Sequence, residues 1–170
     1  QGIYGEGAHS LTTGDMDGDG FDEIMVGTAA LDDDGSLLWR TGLAHGDATH
    51  LGDFDPSNPG LEVFTITEYG TVAYDAALID AKTGRIMRGF SQTGGDTGRG
   101  MPLDCDSTYA GSEMMYWGNP NLIACDGTEI GPWRVGGAKN SSINYRIYWD
   151  GDLLDEYHDR AHIDKWNSDT

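Results

Sequence analysis

A chain of 170 residues, 38% of them hydrophobic, can build a core, which argues against a disordered acidic tail despite a formal net charge of −19. Only 10 lysines and arginines stand against 29 aspartates and glutamates, without a basic run, so a nucleic-acid backbone is excluded as a partner. No run of about 18 apolar residues exists to cross a membrane as a helix, and the polar, glycine-containing start lacks the regions of a signal peptide.

The first acidic segment is Asp15-Met16-Asp17-Gly18-Asp19-Gly20-Phe21-Asp22-Glu23. It leads into a predicted strand at 23–28, a continuation at 29–31, an Asp-rich turn ending at Gly35, and a return strand at 36–40. A second acidic segment holds Asp53, Asp55, Gly60 and Glu62, and precedes predicted strands at 61–67, 73–79 and 85–89, the last two separated by a Thr83-Gly84 turn. The third, with Asp104, Asp106, Gly111 and Glu113, precedes strands at 113–117, 121–124 and 129–135, with a turn at Asp126-Gly127. A fourth unit has strands at 142–149 and 153–157 around Asp150-Gly151-Asp152. Asp-Gly and Thr-Gly turns between short β runs specify hairpins, and no helical periodicity of useful length competes with them.

Three or more carboxylates in one short turn repel each other unless a hard cation with six to eight oxygen ligands resolves the repulsion. The expected calcium ligands are therefore Asp15, Asp17, Asp19 and Asp22 in the first turn, Asp53, Asp55 and Glu62 in the second, and Asp104, Asp106 and Glu113 in the third. Several calcium ions are the expected cofactors. Such loops fill at millimolar extracellular calcium, so a secreted or extracellular chain is expected. The turns begin 38 and 51 residues apart, a spacing that brackets a four-stranded propeller blade. The expected architecture is all-β: residues 1–170 form three to four blades of an incomplete β-propeller, with the remaining blades outside this chain, because terminal blades would otherwise expose apolar faces.

Residues that the repeats do not require form a second set. His9 precedes the first acidic turn, His45 and Asp47 the second, and Arg99 the third, while Glu68 follows the strand after the second turn. Equivalent connections emerge on one face of a propeller, so these side chains can converge. A mixed His/Asp/Glu set suits a divalent cation, though imidazole is an unusual calcium ligand. His45 and Asp47 could equally belong to a locally hydrogen-bonded turn, Arg99 to an ion pair, and His50 to a local hydrogen bond. Cys105 and Cys125 could form one bridge or remain two thiols. The five tryptophans are expected chiefly in packing between blades.

The segments 14–23, 41–56 and 59–64, continued by Gly98-Arg99-Gly100-Met101-Pro102-Leu103-Asp104 and Trp149-Asp150-Gly151-Asp152-Leu153-Leu154, resemble the catalytic propeller of family 11 polysaccharide lyases, the rhamnogalacturonan lyases. The resemblance covers nearly the whole chain. It implies an eight-bladed propeller with structural calcium ions and a polar cleft. It also implies cleavage of the bond from rhamnose to O4 of galacturonic acid by β-elimination. Position by position, His9, His45, Asp47 and Glu68 match residues around calcium in the cleft, and Arg99 an arginine serving substrate binding or catalysis. Lys165 is the matching candidate for a catalytic lysine, and serves as a base if a positive site lowers its pKa. The alternative is a noncatalytic calcium-stabilised propeller for carbohydrate binding or adhesion. That alternative explains the acidic turns but leaves the His/Asp/Glu/Arg set without a purpose.

Overall fold

The computed structural model describes residues 5–68, 73–90, 97–133, 143, 145–159 and 162–167. They form fifteen strands in four antiparallel sheets. The first sheet runs β1 (Leu11–Gly14), β2 (Glu23–Val26), β3 (Ala29–Leu31), β4 (Leu37–Arg40). The second is β5 (Gly46–Gly52), β6 (Glu62–Thr67), β7 (Ala76–Asp80), β8 (Ile86–Phe90), and the third β9 (Gly100–Leu103), β10 (Glu113–Tyr116), β11 (Asn121–Ala124), β12 (Glu129–Pro132). The fourth has β13 (Arg146–Ile147), β14 (Glu156–Asp159) and β15 (His162–Asp164). Each sheet is a meander in which every strand pairs with its neighbours in sequence. Among the described residues there is no helix, and so none long and apolar enough to cross a membrane.

The sheets bury both faces against one another. Along β6, Val63 joins the core shared with the first sheet, whereas Phe64 and Ile66 join the core shared with the third. On β7 the same alternation sends Ala77 and Ile79 one way, and Ala76 and Leu78 the other. On β10, Met114 and Tyr116 face the second sheet, and Met115 packs with Tyr157 of the fourth. This two-residue period with both sides apolar is what a central layer requires. The first strands lie side by side, β1 against β5 and β5 against β9.

The last hairpin of each four-stranded sheet repeats one design. The register shifts at Ala30/Leu31, Leu78/Ile79 and Leu122/Ile123, just before turns closed by Gly35, Gly84 and Gly127 at φ of 82°, 69° and 93°. Glycine adopts this left-handed conformation without a Cβ penalty. Gly84 has a second reason, since a Cβ there would lie 2.6 Å from the Trp39 ring of the preceding sheet. Trp39 itself is buried and donates its indole N–H to the Ala81 carbonyl oxygen at 2.8 Å.

Three strands depart from the sequence reading. β1 and β5 are rich in Gly, Thr, His and Asp, and β9 is a four-residue run, Gly-Met-Pro-Leu, interrupted by a proline, so all three read as connections. They become strands because β2, β6 and β10 each offer an edge to pair with. The fourth unit also gains β15, while part of the predicted strand 142–149 and residues 134–135 lie outside the described residues. Cys105 and Cys125 are two buried free thiols, not a bridge. Burial is the main reason that both thiols are hard to ionise, Cys125 being pushed up to about 11. Trp39 and Trp133 pack between sheets as expected, but Trp149 is 70% exposed.

Truncation of Trp39 to alanine removes an inter-sheet anchor and its hydrogen bond. Trp39→Ala is expected to cost about 3–5 kcal/mol in urea unfolding. A loss under about 1 kcal/mol would show that the first two sheets are not held by this contact.

Candidate functional site

The acidic turns share a buried glutamate at their close. Glu23, Glu62, Glu113 and Glu156 each begin the second strand of a sheet and are nearly inaccessible, at 0%, 0%, 0% and 3% exposure. Glu23 Oε2 accepts the backbone N–H groups of Met16 and Asp17 at 2.6 and 3.2 Å. Glu62 Oε2 accepts those of Phe54 and Asp55 at 2.7 and 2.9 Å, and Glu113 Oε2 those of Cys105 and Asp106 at 2.9 and 3.0 Å. Glu156 Oε2 accepts the Trp149 N–H at 2.8 Å. The second carboxylate oxygen is treated in two ways. Oε1 of Glu23, of Glu113 and of Glu156 is buried without a hydrogen-bond partner, whereas that of Glu62 accepts the Asn58 amide at 2.7 Å.

Only some of the expected ligands are brought together. Ligand atoms of Asp15, Asp17 and Asp19 all lie within 4.8 Å of one another, while Asp22 is exposed and not among them. The position that Asp22 was expected to fill belongs to Glu23, which also approaches Asp32 and Asp33 within the same 4.8 Å. Desolvation, then repulsion from Asp19, Asp32 and Asp34, holds the Asp33 carboxyl above its ordinary value, so the two groups share one acidic surface. Among the described residues, neither Asp53 and Asp55 with Glu62 nor Asp104 and Asp106 with Glu113 forms so tight a set. Asp55 instead accepts the Ser57 N–H and hydroxyl at 2.9 and 2.6 Å, and Asp106 the Trp166 indole at 3.2 Å. Asp104 has its carboxyl raised by burial and by Asp155.

The second constellation does converge. His9, His45, Asp47 and Glu68 offer ligand atoms that all lie within 4.8 Å of one another. His9 Nε2 is 3.4 Å from Asp47 Oδ1, and His45 Nε2 is 3.1 Å from Glu68 Oε2. The two imidazoles meet edge to face at 5.0 Å. Arg99 Nη1 lies 3.9 Å from Asp47 Oδ2, at the margin of the group. The backbone explains the meeting. Gly46 donates to the Gly7 carbonyl oxygen at 2.9 Å and pairs in parallel with Ala8, which brings His9 beside the start of β5. Glu68 donates its N–H to the His45 carbonyl oxygen at 3.2 Å, and Gly46 faces Thr67 across β5 and β6. Arg99 is held by the N–H of Trp117 on its carbonyl oxygen at 2.8 Å, immediately before β9. Gly100 lets that strand approach closely, since a Cβ would stand 2.7 Å from the Met115 carbonyl oxygen.

His9 is 66% exposed and Asp47 only 10%, so the group opens toward solvent on the histidine side and rests on a buried carboxylate. Two imidazole nitrogens and two carboxylates fit a divalent cation, with open positions left for an oxygen ligand. His50 is not part of the group. Its Nε2 is 2.9 Å from the carbonyl oxygen of Gly100 on β9, a bond to the next sheet and not the local one expected, and burial lowers its pKa.

The whole chain, residues 1–170, matches the family model described as rhamnogalacturonan lyase family 11, C-terminal domain. The chain belongs to rhamnogalacturonan lyase family 11. It is 47% identical over 167 residues to rhamnogalacturonan endolyase YesW of Bacillus subtilis (strain 168), covering 98% of this chain and 26% of that protein. Rhamnogalacturonan exolyase YesX of the same strain is 45% identical over 178 residues, covering 97% and 28%. The crystal structure of YesW superposes with a TM-score of 0.86 at 45% identity, covering 97% of this chain and 27% of that one. The Bacillus licheniformis rhamnogalacturonan lyase PL11 gives the same TM-score and identity. This family member thus spans about a quarter of the length of its relatives.

Lys165, the lysine expected as a base, is engaged in ion pairs. Its ammonium sits in the fourth acidic turn, 2.6 Å from Asp150 Oδ2, hydrogen-bonded to Asp152 Oδ2, and 3.4 Å from Glu156 Oε1. Those carboxylates raise its pKa, Asp150 first, whereas proton abstraction would need it lowered. In this structure Lys165 is a counter-ion to the fourth acidic turn. Sequence reading also passed over Glu23 and Glu156. Their signal was the carboxylate directly before an apolar strand, the same place that Glu62 and Glu113 hold.

Burial is the largest cause pushing the Glu113 carboxyl up from 4.5 to about 7, against the lowering effect of the Cys105 and Asp106 amides. With the folded value above the unfolded one, this group's contribution to stability is fully present below about pH 4.5. It is lost as pH rises through about 7. In chelator, the melting temperature is expected to fall across that window, and Glu113→Gln to flatten the fall. A parent and Glu113→Gln variant with parallel pH profiles would remove this carboxyl as the cause.

Proposed function

We propose that this chain is a section, three to four blades long, of the eight-bladed catalytic propeller of a secreted rhamnogalacturonan lyase. The remaining blades complete its cleft. The observation that carries the reading is the convergence of His9, His45, Asp47 and Glu68, from two sheets, beside Arg99 from a third. Packing has no use for two imidazoles, two carboxylates and a guanidinium at one solvent-facing rim. A sugar acid does.

β-Elimination at a galacturonic acid residue removes the proton at C5, alpha to the carboxylate, and expels the oxygen at C4 that carries rhamnose. An ionised carboxylate makes C5 a poor acid, because negative charge then accumulates beside an existing charge. His9, His45, Asp47 and Glu68 would hold a divalent cation, calcium on this reading, which would supply positive charge next to that carboxylate. Arg99 carries a guanidinium that stays charged at any physiological pH and presents several donors in a fixed fork, so it clamps the uronate oxygens. Asp47 orients it from behind, with Oδ2 3.9 Å from Nη1. His45 Nε2 and His9 Nε2 lie close to the carboxylates of Glu68 and Asp47, which supports ligation over proton transfer as the role of both imidazoles. The first three acidic turns would hold further calcium ions, and the turns fix the first strands that carry these groups.

In a protein containing the full set of blades, Arg99→Ala is expected to lower kcat on rhamnogalacturonan by about 100- to 1,000-fold with the fold intact. Ultraviolet absorbance of the unsaturated uronate product reads it out. Activity within a factor of two or so of the parent would take Arg99 out of the mechanism. Removal of calcium by chelator should abolish the signal and its return restore it. A parent that binds the polymer without producing the unsaturated end would instead be a noncatalytic sugar-binding propeller.

A further inference from the structure

The fourth acidic turn is a close copy of the first. Segments 15–23 and 148–156 align without a gap, and Asp17, Gly18, Asp19, Asp22 and Glu23 meet Asp150, Gly151, Asp152, Asp155 and Glu156. Their backbones agree. Gly18 and Gly151 have φ of 83° and 84°, and Gly20 at 98° is answered by Leu153 at 76°. The hydrogen bonds agree as well. Asp17 Oδ1 accepts the Asp19 N–H at 3.0 Å, and Asp150 Oδ1 that of Asp152 at 3.2 Å. Asp19 Oδ1 accepts the Phe21 N–H at 2.9 Å, and Asp152 Oδ1 that of Leu154 at 3.0 Å. Leu153 is 79% exposed and non-glycine, and a leucine at positive φ persists only where surrounding contacts impose it.

The aligned segments differ at four positions; one of them removes a carboxylate, and a lysine from outside the segment matches that loss. Tyr148 stands where the first turn has Asp15, so one carboxylate is gone. Lys165, just after β15, puts its ammonium among the three that remain, on Asp150 Oδ2 at 2.6 Å, on Asp152 Oδ2, and 3.4 Å from Glu156 Oε1. In the first turn the nearby Lys82 donates instead to the Asp17 carbonyl oxygen and leaves the carboxylates facing one another. One fewer negative charge is what allows a monovalent ammonium to suffice where the first turn calls for a divalent ion.

We infer that the fourth turn is a calcium loop converted to a metal-independent one, in which the Lys165 ammonium occupies the place of the cation. The inference rests on the reading of the first turn as a calcium loop. It makes Lys165 a structural counter-ion that keeps Leu153 in its left-handed conformation. The fourth sheet is then insulated from changes in calcium concentration to which the first responds. In the second turn, the Asn58 amide on Glu62 Oε1 does a related task at a single oxygen.

The test uses terbium as a calcium substitute in crystals of the full chain, together with two variants. Anomalous density is expected at Asp15, Asp17 and Asp19 and not among Asp150, Asp152 and Glu156. Lys165→Met is expected to melt several degrees lower in chelator, and the double variant Tyr148→Asp/Lys165→Met to bind one more calcium ion per chain than the parent by native mass spectrometry. Terbium in the fourth turn of the parent would overturn the inference even if neither variant folds. So would a folded double variant with unchanged stoichiometry. Terbium at neither turn would sink the calcium reading itself, and the inference with it.

Discussion

A buried carboxylate on backbone amides is the contact from which the rest of the architecture takes its position. An ionised glutamate is costly to bury without partners, and two amide N–H groups are a direct way to compensate one oxygen. Each such glutamate is the first residue of its sheet's second strand, and the amides belong to the turn that follows the first strand. The bond therefore sets how the first strand enters the sheet. Polar strands such as β5, which have little hydrophobic drive of their own, are placed by it and by their pairing with the second strand.

That placement separates two kinds of charge. The acidic turns lie where the first strands end, and His45, Asp47 and Arg99 lie where the first strands begin. Glu68 follows the end of β6, which antiparallel pairing brings back beside the start of β5. β5 has 7 residues, so the two groups stand on the order of 20 Å apart along it. Beyond a Debye length, roughly 8 Å at physiological salt, the acidic turns contribute little to the field at the histidine group. On the proposed reading, a divalent cation in the histidine group would then let the rim attract an anionic sugar even though the chain as a whole carries a net charge of −19.

The sheets also communicate through their turns. Lys82 at the end of the second sheet's hairpin reaches the Asp17 carbonyl oxygen of the first, and Ala81 serves the Trp39 indole. Phe54 accepts the Ser112 N–H of the next unit at 2.9 Å, and Asp104 accepts that of Asp155 at 2.6 Å. The second turn is thus tied to the third and the third to the fourth, while the first is tied to the second sheet's last hairpin, which lets the geometry of each bear on the neighbouring sheet. A family whose relatives are both endolyases and exolyases keeps this framework at 45–47% identity, consistent with a scaffold that constrains more residues than the chemistry alone would.

The amino-acid sequence by itself determined the repeat, the all-β class, the hairpin glycines and the apolar strands, because turn chemistry and two-residue alternation are local. Gly35, Gly84 and Gly127 could be placed from their neighbours alone, and Val63 to Ile66 from their pattern. The family resemblance also singled out His9, His45, Asp47, Glu68 and Arg99 before any coordinates. Only the tertiary structure decided that β1, β5 and β9 are strands at all, since these short polar or proline-containing runs gain order from a partner's edge and not from their own pattern. It likewise decided that Glu23 and not Asp22 closes the first turn, and that Lys165 belongs to an acidic loop and not to the histidine group. A side chain that follows one strand and neutralises the turn before another has no signature in spacing. Its partner is set by which sheet edge folds back upon which, and that is a property of the whole stack.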